Sequence, residues 1–129
     1  MTAQEMRELD AWIWFNIFKM VEHKIDKTSD GVDVWERLYL PENISPTLPH
    51  DELEKHWRIL YIPTFTITAE YAMEVLKKCA EKCNKEDISI CLRYGAWNVS
   101  QWTKHKIEEE AETLELAICL FAKKLFSNG

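Results

Sequence analysis

Leu9, Ile13, Ile17, Met20, Val21 and Lys24 recur at helical spacing, and Trp12, Trp14, Phe15 and Phe18 fall outside that single stripe. The run predicts a first helix that is apolar around most of its circumference, whereas a helix on the surface of a globular protein needs only one apolar face. Thr2 and Glu5 mark its start as a capping box, in which hydroxyl and carboxylate each satisfy a free backbone N–H. The run KTSDG over 27–31 marks its end, with Gly31 suited to a turn. The surplus apolar surface has to be covered, because monomers rarely expose patches of that size. Two covers are open: a second copy of the chain, or segment 27–58 folding over the helix.

The rest of the chain alternates strands and helices. Beyond Gly31 lies an irregular region with Pro41, Pro46 and Pro49, a short strand over 36–40 and a helical turn over 51–56. Trp35, Tyr39 and Trp57 are heavy side chains for such a region and are expected to pack onto the core. Residues 58–62 read as a strand stopped by Pro63. Thr66 or Thr68 then caps a second helix whose apolar stripe is Ala72, Val75, Leu76, Cys79, Ala80 and Cys83, with Glu74 and Lys78 as an i,i+4 pair on the wet face. A turn over 84–87 leads to Ile88, Ile90 and Leu92 alternating with Ser89, Cys91 and Arg93, the pattern of a strand. Gly95 lets the chain reverse through 94–96, and Trp97, Val99 and Gln101 continue on a partner strand. Polar 103–112 is open between loop, strand extension and early helix. Thr113 caps a last helix with Leu114, Ala117, Ile118, Phe121 and Leu125 on its apolar side. At 129 residues the chain makes one domain over 1–129. Helices separated by hairpin-connected strands predict an α+β fold with antiparallel pairing.

Charge and composition remove several classes of function. The formal net charge of −6 argues against binding nucleic acid by phosphate neutralisation. Only Gly31, Gly95 and Gly129 are present, so glycine-clustered phosphate loops and dinucleotide turns are excluded. The opening MTAQEMRELD is acidic and polar where a secretory signal is basic and then apolar. The apolar stretch 11–21 falls far short of the ~20 residues of a membrane span. Cys79, Cys83, Cys91 and Cys119 are expected as reduced, mostly buried thiols, which fits a cytoplasmic protein without membrane contact. His50 and His56 stand six apart and cannot share the helical face of a zinc motif, so no metal or other cofactor is expected. No serine sits in a glycine elbow, and no catalytic constellation stands out.

One cluster suits a ligand. Arg93, Tyr94 and Trp97 fall at the hairpin tip, Arg58 and Tyr61 lie on the preceding strand, and Trp35 lies in the irregular region. Guanidinium groups hold phosphate bidentately and aromatic faces stack a base, so these residues together are candidates for a nucleotide. The competing reading makes the indoles core or interface anchors with arginine stems packed across them. The acidic run 108–112 reads either as a solvated face or as a docking site for a basic partner.

The runs IPTFTITAEYAMEVL (62–76), ISICLRYGAW (88–97) and ETLELAIC (112–119), in that order, resemble the phage ABA-sandwich family, small proteins of tailed-phage and prophage genomes. The family typically carries a Pro-aromatic-Ser/Thr helix start, a Ser-Leu-Arg-Tyr-like strand with a following Trp, and a closing helix with Leu-Ala-Ile-Cys. Glu8-Leu-Asp-Ala11 also fits its opening helix. The resemblance spans most of the chain and is weakest over 27–57. It implies an α/β/α sandwich, with helices on both faces of a small antiparallel sheet, and a phage accessory protein inside a bacterium. It brings no established catalytic residues.

Two functions are expected from these features. The first is a non-enzymatic homo-oligomer that sequesters a small nucleotide-type signal of host defence, with Arg93 and Arg58 on phosphates and Trp97, Tyr94 or Trp35 on the base. The second is an inhibitor that binds a host defence protein through its acidic surface.

Overall fold

The computed structural model describes residues 1–29, 32–49, 52, 61–83, 88–102 and 106–127, with the backbone alone at 25–29, 32–37 and 102. Its elements are α1 (Ala3–Asn16), β1 (Met20–Ser29), β2 (Val32–Pro41), α2 (Ala69–Lys82), β3 (Ile88–Arg93), β4 (Ala96–Trp102), β5 (Lys106–Ala111) and α3 (Leu114–Ser127). Among the described residues the architecture is mixed α+β, with the helices α1, α2 and α3 and antiparallel strands in a two-stranded sheet β1-β2 and a three-stranded sheet β3-β4-β5. None of the described helices is long and apolar enough to cross a membrane. Two compact units divide the chain, one formed by Met1–Ile13 with Pro63–Gly129 and the other by Trp14–Ile62.

The capping box is present: the Glu5 N–H donates to Thr2 Oγ1 and the Thr2 N–H to Glu5 Oε1, each at 3.1 Å. The helix it starts ends at Asn16, short of the 27–31 stop that periodicity suggests. Lys19 then takes φ 56°, which no right-handed helix accommodates, and the chain turns into β1. Met20, Val21 and Lys24 therefore lie on a strand. Their helical spacing loses to ladder pairing with β2, which runs from Met20↔Pro41 to Ser29↔Val32. The short strand expected over 36–40 is the second half of β2.

In the Trp14–Ile62 unit much of the surplus apolar surface is packed internally. Trp14 meets Phe18 at 5.9 Å and the edge of Tyr39 at 6.2 Å between ring centroids, and Phe15 meets Tyr39 at 6.0 Å. Ile17, Met20, Leu38 and Leu40 are buried. Of the two covers left open by the sequence, segment 27–58 supplies one through Tyr39. Apart from Glu52, which is helical, the turn expected over 51–56 lies outside the described residues, as do the Trp57 side chain and most of the strand expected over 58–62; Tyr61 and Ile62 are not in a strand.

In the other unit α3 packs on α2 and against β4 and β5. Val75, Cys79, Val99, Ile118 and Phe121 are almost fully buried there. Asp10 of α1 is also buried, and its Oδ1 accepts the N–H of Thr66 at 2.9 Å, tying α1 to the turn that precedes α2. Thr68 occupies the N-cap position of α2 but does not cap it, because its hydroxyl is paired with that of Thr64 at 2.7 Å. Thr113 does cap α3, taking the Leu116 N–H on Oγ1 at 3.3 Å. The expected Glu74–Lys78 pairing is replaced by Glu74–Lys77 at 3.1 Å and Lys78–Glu81 at 3.9 Å, exposed pairs that add little to stability. The open segment 103–112 contains strand β5, and the turn expected over 84–87 lies outside the described residues.

Candidate functional site

The β3–β4 hairpin is closed by Tyr94 and Gly95 between the paired Arg93 and Ala96. Both central residues have positive φ, 51° and 79°, the signature of a type I′ turn whose twist matches that of the strands. Glycine adopts this conformation freely, whereas tyrosine does so at a cost of about 1 kcal/mol. The ring gains no packing in return, since Tyr94 is 107% exposed. Tyr94→Asn, which suits the same turn, is expected to raise the melting temperature by about 4 °C. An unchanged or lower value would show that the ring contributes to folding after all.

Ladder register separates the other tip residues. Arg93, Cys91 and Ser89 share one face of the sheet with Asn98, Ser100, Glu108 and Glu110. Trp97 lies on the opposite face, half-buried, with Leu92 and Ala111 as its cross-strand neighbours. The hairpin brings Arg93 and Tyr94 side by side and puts Trp97 behind them, on the face that Val99 buries. Trp35 lies on β2, where the backbone alone is described, and Arg58 lies outside the described residues.

The face that carries Arg93 holds a polar network that sequence reading missed. Asn98 is buried and its Nδ2 donates to Glu108 Oε1 at 2.6 Å and to Glu110 Oε1 at 3.2 Å. Lys106 Nζ stands 3.0 Å from Glu108 Oε2. Hydrogen bonds from Lys106 and Asn98, with the charges of Lys106 and Arg93 behind them, hold the Glu108 carboxyl below its ordinary range. On the helix side, Glu109 lies 3.6 Å from Lys124 of α3. Alternation along β5 thus splits the acidic run between two faces, and each of these three carboxylates has a donor. Nothing local in the sequence marks Asn98: it occupies the polar position of an alternating strand and reads as wet.

The thiols of Cys79 and Cys119 are poor nucleophiles. Burial, with the neighbouring Cys83 adding to it, pushes the Cys79 thiol up to about 12, and burial pushes Cys119 up as well. Both stay protonated at neutral pH, and no disulfide joins any of the four cysteines. Among the described residues no group of three or more His, Cys, Asp or Glu is placed to hold a metal ion.

No family model, no curated protein and no solved structure matches this chain. The functional reading therefore stands on the chemistry of the hairpin tip and on the motif order of the sequence.

Proposed function

We propose that the protein acts by binding and not by catalysis. It is an oligomer that takes up a small nucleotide-type signal and withholds it from host defence in the cytoplasm of a phage-infected bacterium. The observation that carries this reading is the hairpin tip, where Arg93 and Tyr94 are adjacent, exposed and mounted on a two-residue turn. A guanidinium pairs with phosphate in two-pronged fashion, and an exposed ring stacks a base whatever its identity. Retaining a tyrosine where asparagine or glycine would be more stable is the trade expected of a functional position. Trp97 lies on the opposite face of the same hairpin, behind the tip. The phage setting rests on the order of the motifs over 62–76, 88–97 and 112–119.

Calorimetry of the purified protein with cyclic and ADP-ribose-type nucleotides tests this reading. Heat of binding is expected for wild type, weakened about tenfold or more by Arg93→Ala and by Tyr94→Ala, each loss being about 1.4 kcal/mol or more. Absence of heat from every nucleotide at micromolar protein overturns it.

A second reading, docking of a basic host protein, is favoured by one observation: among the described residues β5 is the other edge of its sheet, and Glu110 and the following Glu112 are exposed there. Capture of such a partner at low salt that is lost on Glu110→Lys would select this reading over the first.

A further inference from the structure

We propose that the free edge of β3 joins two copies of this chain, strand against antiparallel strand, about a two-fold axis at Ile90. This deepens the oligomer half of the reading above and rests on none of its ligand half. Among the described residues β3 is the end strand of its sheet, with β4 on one side and no strand on the other. Arg93 and Ala96 flank the turn and form the hydrogen-bonded pair that closes the hairpin. Alternation then points the backbone groups of Cys91 and Ser89 towards β4, and those of Leu92, Ile90 and Ile88 outward. The same three residues put their side chains on one face of the sheet. There Ile90 is 39% and Leu92 58% exposed, because α3 lies against β4 and β5. Edge strands are normally blunted by proline, inward charge or a bulge, and β3 carries none of these within its ladder.

The pattern of β3 names its occupant, because it is its own complement. Outward backbone groups can pair only with outward backbone groups, so Ile90 faces Ile90 of the other copy, and Ile88 faces Leu92, through about six hydrogen bonds. Apolar side chains meet apolar ones on one face, and Ser89 meets Cys91 on the other. A register shifted by two residues loses one apolar pair. Such an edge is smaller than the roughly 1,200 Å² of standard interfaces, so the dimer is expected to dissociate on dilution.

Light scattering and sedimentation equilibrium, run without nucleotide, test the proposal. Wild type is expected to be dimeric at about 100 µM and to dissociate towards low micromolar concentration. Ile90→Lys sets two lysines opposite each other on the axis and is expected to leave a monomer with an unchanged melting curve. A wild type that is monomeric at about 100 µM, or a dimer that survives Ile90→Lys, overturns the proposal. Register is read by cross-linking in a Cys91→Ser background. The axis brings the two Cα atoms at position 90 about 5.5 Å apart, within disulfide reach, so Ile90→Cys is expected to form a covalent dimer under mild oxidation. Leu92→Cys, whose counterpart is Ile88, is expected not to. Equal cross-linking at both positions overturns the register. Because no ligand is present, failure here removes the interface without touching nucleotide binding, and failure of the calorimetry leaves the interface standing.

Discussion

Phe121→Ala is expected to lower the unfolding free energy by about 4 kcal/mol, read as a shift of the urea midpoint in far-ultraviolet circular dichroism. Phe121 has no exposed surface and lies on the face of α3 shared with Ala117, Ile118 and Leu125, all buried. The loss combines the transfer free energy of the ring with the cavity it leaves, because neighbours such as Ile118 cannot collapse into the space. A domain of this size is stable by only about 5–15 kcal/mol, so the variant should be close to unfolding at room temperature. Phe121→Leu keeps most of the volume and is expected to cost less than half as much. Equal losses for the two variants would show that ring shape, and not buried volume, sets the energetics at this position.

Asp10→Ala is expected to cost about 2 kcal/mol, whereas Asp10→Asn is expected to be neutral or stabilising at pH 7. Asp10 is only 4% exposed, and its Oδ1 accepts the N–H of Thr66, itself 1% exposed, at 2.9 Å. Alanine leaves that N–H buried without its acceptor. Asparagine keeps a carbonyl oxygen there and removes the desolvated charge. Burial raises the carboxyl above its ordinary 3.8, outweighing the hydrogen bonds from Thr66. The folded state therefore holds the proton more tightly than the unfolded chain. The contribution of this group is complete below the unfolded pKa and is lost as pH rises through the raised folded value. Urea midpoints of wild type should fall relative to Asp10→Asn as pH is taken from about 3.5 to 7. Parallel curves across that range would show that Asp10 titrates alike in both states.

The elements whose signals are local were readable in advance. The capping box of Thr2 and Glu5, the stripe of α2 through Val75 and Cys79, the β3–β4 hairpin and the Thr113 cap all follow from contacts within a few residues. The largest departure, β1 in place of the second half of a long helix, had a sequence sign of its own. Asp30-Gly31 stands between Val21, Ile25 and Thr28 on one side and Val32, Val34 and Trp35 on the other, a hairpin signature that the helical spacing of Met20, Val21 and Lys24 obscured. Of the candidate site, the placement of Arg93 and Tyr94 at a turn was legible, because Gly95 and the flanking alternation report directly on backbone shape. Assigning Arg93 and Trp97 to opposite faces required the ladder register. The Asn98–Glu108–Glu110 network required β5, whose pairing spans the segment that local reading left undecided.

By itself the sequence determined the kinds of element, their approximate order and the antiparallel α+β class, because helix caps, apolar period and turn chemistry act over a few residues at a time. Tertiary structure alone decided where α1 stops, which rings cover Trp14 and Phe15, and that Ile90 and Leu92 on the β3 edge stay uncovered. Those outcomes are settled by competition between distant segments for the same apolar surface and the same backbone hydrogen bonds, and no local window contains both competitors.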